Sequence, residues 1–183
     1  AYGITLRRTD TLTRTEVSEG GVINCSGKLQ LYGCTLENGY SQKGGNINMV
    51  NVSKAVIVNC LITGGVDTST VGGGNIRMGG NNASDPVTVL LMDSTVTAGT
   101  AGSGGGGIYL NTADKNQLKL SGKIQITGNA GTNLYMVDTD NVVLENLNVT
   151  SRVGISMKTS GVIAQTDQDL SACFPSDNTG LKV

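Results

Sequence analysis

Histidine and tryptophan are missing from this sequence, and phenylalanine occurs once, as Phe174. Without histidine there is no imidazole base, no His-ligated metal and no Ser-His-Asp arrangement. The lack of large aromatics excludes an aromatic-rich core. Proline is nearly absent, at two residues, so neither collagen nor a Pro-rich linker fits. Charge of one sign is lacking too: 13 basic residues face 14 acidic ones, for a net charge of -1. The only adjacent basic pair is Arg7 and Arg8, too little for a phosphate-binding surface, so nucleic acid is not expected as a partner. No apolar run approaches the roughly 18 residues of a transmembrane segment. The chain opens "AYGITLRRTD", without an initiator methionine, and we expect it to be part of a larger chain.

Glycine is plentiful, at 27 residues, and it recurs in a pattern. The stretches "GGVINC", "GGNINM", "GGNIRM", "GGIYL", "GTNLYM" and "VGISM" each open a similar unit. Their first apolar anchors are Ile23, Ile47, Ile76, Ile108, Leu134 and Ile155, spaced by 24, 29, 32, 26 and 21 residues. Two residues later come Cys25, Met49, Met78, Leu110, Met136 and Met157. A spacing of two puts both on one face of a strand and turns Asn24, Asn48, Arg77, Tyr109, Tyr135 and Ser156 to the other. A second pair follows in each copy: Cys34 with Leu36, Cys60 with Ile62, Ser94 with Val96, Ile124 with Ile126, and Leu147 with Val149.

These runs are too short and too strictly alternating for helices. A two-stranded unit cannot bury its apolar face alone, whereas stacking each copy on the next makes a continuous core. The expected fold is all-β: a single-stranded, right-handed parallel β-helix of about five coils with capped ends. We expect one domain, with an N-terminal cap over about 1–19, repeats over about 20–158 and a C-terminal cap over about 159–183. Length variation falls in loops such as "TGGVDTSTVGGG" and "GGNNASDP", and Pro86 precedes a strand where it need not donate to a ladder. The tail segment "TDQDLSACF" suggests a short helical turn. The glycines at 104–107 read as a corner, because no Lys-Ser/Thr pair or helix follows them to make a phosphate loop.

Gly-Gly-x-Ile at Gly20, Gly44 and Gly73, with the strand end "ITGN" at Ile126–Asn129, resembles the right-handed β-helix domains of bacterial secreted and surface proteins. These include adhesin passenger and polymorphic outer-membrane types and, more distantly, the pectate-lyase-like superfamily. The resemblance implies a secreted or cell-surface location and partners among glycans or cell-surface polymers. It also implies an enzyme alternative, in which outer-sheet carboxylates hold calcium and an Arg or Lys abstracts a proton. The outward candidates are Arg77, Asp93, Lys119 and Glu145, of which Arg77, Asp93 and Glu145 are the catalytic set of this alternative; Asp138 and Asp140 are weak calcium candidates at a turn. No three acids line up on successive copies.

The outward ladder offers a different chemistry. Asn48 and Arg77 beside Tyr109 and Tyr135 would make a shallow carbohydrate-binding face, or the two rings simply stack on each other. The four cysteines admit three readings: buried thiols acting as small hydrophobes, a Cys34–Cys60 bridge, or a zinc site, the last disfavoured without histidine or CxxC spacing. The sequence therefore leads to a non-enzymatic, adhesive or structural module, without a required cofactor. The alternatives are a polysaccharide lyase or glycoside hydrolase, and a structural segment of a larger fibre marked by an exposed apolar strip.

Overall fold

Short alternating runs separated by residues that tolerate positive φ dictate short strands joined by sharp bends. The computed structural model describes residues 1–8, 16–79, 86–111, 115–139 and 141–178. Strand β1 (Thr5–Arg7) stands first. The first repeat supplies β2 (Ile23–Cys25), β3 (Lys28–Tyr32), β4 (Thr35–Glu37) and β5 (Tyr40–Ser41). The second supplies β6 (Ile47–Met49), β7 (Lys54–Val58), β8 (Leu61–Thr63) and β9 (Val66–Asp67). The third supplies β10 (Ile76–Met78), β11 (Thr88–Met92), β12 (Thr95–Thr97) and β13 (Thr100–Ala101). The fourth has β14 (Gly105–Leu110), β15 (Gln117–Gly122) and β16 (Gln125–Ile126). The fifth has β17 (Thr132–Met136), β18 (Val142–Leu147) and β19 (Arg152–Val153), and β20 (Ile155–Met157) opens a sixth.

The architecture is all-β and consists of several parallel sheets. Their orders are β1-β4-β8-β12-β16-β19, β2-β6-β10-β14-β17-β20, β3-β7-β11-β15-β18 and β5-β9-β13. Strands adjacent in sequence do not pair; each pairs with its counterpart in the next repeat. The two-strand repeat unit expected from the sequence is therefore corrected to three or four strands. The unit gained its longest member, the β3-type strand, which the anchor pattern passed over. The helical turn in the tail is a single 3-10 turn at Ser171–Cys173, where Asp169 Oδ1 accepts from the Ser171 N–H at 3.1 Å.

The anchors form one register column, Ile23–Ile47–Ile76–Ile108–Leu134–Ile155, and their partners another, Cys25–Met49–Met78–Leu110–Met136–Met157. Ile47, Ile76, Ile108 and Leu134 are fully buried. Cys34 with Leu36, Cys60 with Ile62, Ser94 with Val96 and Ile124 with Ile126 also face the core. In the fifth pair Leu147 is buried but stands in register with Gly122, and Val149 is 67% exposed; the places in line with Ile124 and Ile126 are filled by Ser151 and Val153, with Val153 in register with Ile126. The offset between the fourth and fifth repeats grows from 24 residues at Ser121–Glu145 to 25 at Gly122–Leu147 and 27 at Gln125–Arg152, so counting on from the preceding strand misplaces the pair by three residues.

The bends repeat as columns. Gly33, Asn59, Asp93, Gly122 and Asn146 all have positive φ, as do Asn38, Gly64, Ala98 and Gly128 at the next bend. Behind that second bend the backbone turns its N–H inward, where water cannot reach it. Side-chain amides meet it. Asn46 Oδ1 accepts from the Gly39 N–H at 2.9 Å, Asn75 Oδ1 from Gly65 at 3.0 Å, Asn129 Oδ1 from Gly99 at 2.9 Å, and Asn133 Oδ1 from Asn129 at 3.0 Å. The amides also bond one another: Asn46 Nδ2 to Asn75 Oδ1 at 2.7 Å, Asn75 to Asn129 at 3.1 Å, and Asn129 to Asn133 at 3.0 Å. The position before each anchor holds Asn46, Asn75 and Asn133, but Gly107 in the fourth repeat. There Asn129 reaches in from the bend, and a Cβ on residue 107 would lie 2.7 Å from its Nδ2. At the sixth anchor Gly154 leaves room for Asp177, whose carboxylate accepts from the Asn133 N–H at 2.6 Å and Nδ2 at 2.7 Å.

A second polar column lies under the Cys34 strand. The Cys34 N–H donates to Cys60 Sγ at 3.3 Å, the Cys60 N–H to Ser94 Oγ at 3.1 Å, and the Ile124 N–H to Ser151 Oγ at 3.0 Å. The thiols of Cys34 and Cys60 donate in turn to the carbonyls of Tyr32 and Val58. All four cysteines are free and buried, and burial pushes the Cys60 thiol pKa up. At the ends, Ala1 and Gly3 bond β3, and the tail packs Leu170, Cys173 and Phe174 against the core.

Two outcomes follow. Asn75→Ala strands the Gly65 N–H and the Asn46 amide inside the core, and should cost about 3 kcal/mol; a urea-unfolding midpoint within experimental error of the parent would refute the role given to the ladder. Because the cysteines are free, a reductant should leave the thermal midpoint unchanged and thiol labelling should wait for unfolding; a midpoint that falls with reductant would reveal a bridge.

Candidate functional site

The outward residues of the second sheet fall in one register line, Asn24–Asn48–Arg77–Tyr109–Tyr135–Ser156. Successive side chains sit one strand spacing apart, about 4.8 Å, and so interact laterally. Lys43 Nζ meets Glu19 Oε1 at 2.8 Å, and Glu19 Oε2 accepts from Asn24 Nδ2 at 3.1 Å. Asn48 Nδ2 donates to Asn24 Oδ1 at 3.1 Å, and Arg77 Nη1 donates to Asn48 Oδ1 at 3.3 Å. Tyr109 and Tyr135 stack with centroids 5.9 Å apart and planes 11° from parallel. At the far end Asn178 Nδ2 donates to Ser156 Oγ at 3.4 Å.

The line is not uniformly accessible. Asn48 is fully buried, so it positions Arg77 and offers nothing to a ligand directly. Arg77 is half-buried under Gly79, where a Cβ would come 2.7 Å from the guanidinium carbon, and its buried Nε has no hydrogen-bond partner. Tyr109 lies between Arg77 and the ring of Tyr135. Tyr135 alone has a small neighbour, Ser156, on its second side. The usable groups are thus the Arg77 guanidinium and the rims of both tyrosines, with Tyr135 as the platform.

Electrostatics at the strip follow from burial and partners. The Lys43 hydrogen bond holds the Glu19 carboxyl below the usual range. Burial raises the Tyr109 phenol pKa, the Arg77 charge opposing and Tyr135 adding to the rise. Asp67, 2% exposed at the adjoining corner, is pushed up by burial although it accepts from the Ser69 N–H at 2.8 Å, Ser69 Oγ at 2.7 Å and the Gly44 N–H at 2.9 Å.

The enzyme-alternative residues are not gathered in one place. Arg77 belongs to the second sheet. Asp93 occupies a positive-φ bend, φ 48°, and its Oδ1 accepts from the Lys123 N–H at 2.8 Å. Glu145 stands on the outer face of the β3-type sheet, ion-paired to Lys119 Nζ at 2.9 Å. Through Met92–Ser121–Glu145 it lies two strand spacings, about 9.6 Å, from the strand that ends beside Asp93. Asp138 is exposed and accepts from the Thr139 N–H at 2.9 Å, a local turn bond. Asp140 lies outside the described residues. Among the described residues, no group of three His, Cys, Asp or Glu side chains could hold a metal ion, and no helix is long and apolar enough to cross a membrane.

Sequence reasoning missed a cavity of 780 Å³ between the last strands and the tail. Leu144, Ile155, Met157, Ile163, Leu170 and Phe174 form its apolar wall, and Lys158, Asp169 and Asn178 are among its polar groups. It exists only because residues 160–178 fold back under β18 and β20, and no local signal marks that return.

The Asp67 environment has a pH consequence. The folded state holds this proton more tightly than the unfolded chain, so its contribution to stability falls as pH rises from the unfolded-state pKa through the raised folded one. Relative to Asp67→Asn, the parent should lose stability across that interval, and carbon-detected NMR should place the Asp67 titration above the ordinary carboxylate range; a titration below it would contradict the burial argument. No family model, no curated protein and no solved structure matches the chain.

Proposed function

We propose that the four sheets are the faces of one right-handed parallel β-helix of about five coils, and that it serves as a non-enzymatic adhesive or structural module with a shallow glycan-binding strip. The cyclic order in which the chain supplies strands supports the coil reading, and the right-handed preference of parallel crossovers supports its hand. A secreted or cell-surface setting accords with the resemblance to bacterial surface β-helix domains.

The observation that carries the binding reading is the laterally bonded line from Glu19 to Arg77, continuing into the Tyr109–Tyr135 stack. A sugar ring presents an apolar face to Tyr135 and hydroxyls to the guanidinium and phenol groups. Catalysis by paired carboxylates would need both acids around one bond. Here Asp93 is engaged in a bend and Glu145 in an ion pair on another sheet.

The test is retention of the purified chain on neutral and acidic polysaccharides, with and without calcium, alongside mass analysis of the soluble fraction. We expect retention without released fragments, weakened about tenfold by Tyr135→Ala, since one good stacking contact is worth about 1 kcal/mol or more. Asn48→Ala should weaken retention less, because it acts only by loosening Arg77. Shortened or unsaturated products would replace this reading with the enzyme one.

A further inference from the structure

We propose that the outer face of the β3-β7-β11-β15-β18 sheet is a self-association surface, on which a second copy of the chain packs about a two-fold axis running along β11. The inference stands on the register of this sheet and is independent of the glycan-binding reading, which concerns another sheet.

In this sheet Ala55, Ile57, Val89 and Leu91 point into the core, so Val56, Val58, Leu90 and Met92 point outward. These four are contiguous, since Val56 is in register with Leu90 and Val58 with Met92. Each is half-buried by its neighbours. The patch extends upward to Tyr32, stacked on Tyr2 at 4.9 Å, and charged groups appear only around it: Lys28 and Lys54 at the strand starts, and the Lys119–Glu145 pair below. A parallel sheet normally has both faces covered, and here one is covered by the core while the other is open and apolar at its centre.

The occupant follows from charge placement and symmetry. A two-fold along β11, the middle of the five strands, sets upper strands of one copy over lower strands of the other and leaves each position along the strand unchanged. Leu90 and Met92 then meet themselves on the axis. Val56 faces the aliphatic stem of Lys119, Tyr32 faces Glu145, and Lys54 faces Gln117. Within the five strands no like charges oppose; the exposed Asp93, one residue past Met92, stands at the end of the axis, where its Oδ1 accepts from the Lys123 N–H at 2.8 Å. The other two-fold, parallel to the stacking direction, would set Lys119 against Lys119 and is disfavoured. Stacking end to end is blocked on this sheet, because Ala1 and Gly3 already bond the outer edge of β3.

Size sets the strength. Five strands about 4.8 Å apart and five residues at about 3.3 Å each make a flat face of about 400 Å². A standard interface buries about 800 Å² per partner, so the expected dimer is weak and concentration-dependent.

Sedimentation velocity from about 10 µM to about 1 mM, the range in which so small an interface associates, should show a monomer passing to a dimer. Leu90→Glu, which puts two carboxylates together on the axis, should hold the chain monomeric while its circular dichroism and thermal midpoint stay near those of the parent. Geometry is tested separately with a short bis-maleimide: Leu90→Cys should couple to itself, and Val56→Cys should couple to Lys119→Cys more readily than to itself. A monomer throughout the range, a dimer that survives Leu90→Glu, or Leu90→Cys coupling no faster than Leu61→Cys on the neighbouring sheet would each overturn the proposal.

Discussion

Parallel strands joined by tight bends leave backbone N–H groups facing a dry interior, and everything else in this molecule is arranged around satisfying them. The buried amides of Asn46, Asn75, Asn129 and Asn133 do so at one bend. Because each amide also donates to the next, the ladder fixes the stacking register of successive repeats as firmly as the apolar anchors do. Its continuity through the fourth repeat depends on an exchange: the strand gives up its asparagine for Gly107, and the bend supplies Asn129 in compensation. The ladder must end on a group that only accepts, and the Asp177 carboxylate is one. The tail at Asp177 is thereby tied to the same network as the bend at Gly39.

The cysteine and serine column solves the same problem with weaker acceptors. A thiol there is small, apolar enough for the core, and still able to receive an N–H. This explains why Cys34, Cys60, Ser94 and Ser151 can share a column without a disulfide, and why Ile124 interrupts it at no cost to its own N–H.

Once the inside is fixed, alternation fixes the outside as well, and two outer faces of different character result. One carries amides, a guanidinium and stacked phenols bonded along the stacking direction; the other carries valines, a leucine and a methionine. The first suits a hydrated polymer lying across it, and the second suits another flat protein surface. Separate sheets keep the two apart, so the proposed glycan binding and the proposed self-association need not compete.

Residue spacing alone was enough for the all-β class, the anchor columns and the line from Asn24 to Ser156. Period-two alternation with a recurrent Gly-Gly-x-Ile start leaves only one side on which the apolar residues can stack. It also determined which residues stand next to one another across repeats, as with Tyr109 and Tyr135. It did not reveal the four-sheet division, since the β3-type strands lack a shared motif. Nor did it reveal that Ser151 and Val153, and not Val149, complete the fifth repeat, because a register shift at one bend is invisible to counting. The burial of Asn48, the use of Asn129 in place of residue 107, the cavity under the tail and the apolar outer face emerge only in the folded chain. Each depends on what residues from a different repeat leave uncovered, and that is set by packing along the stack, where no spacing within a single repeat carries the information.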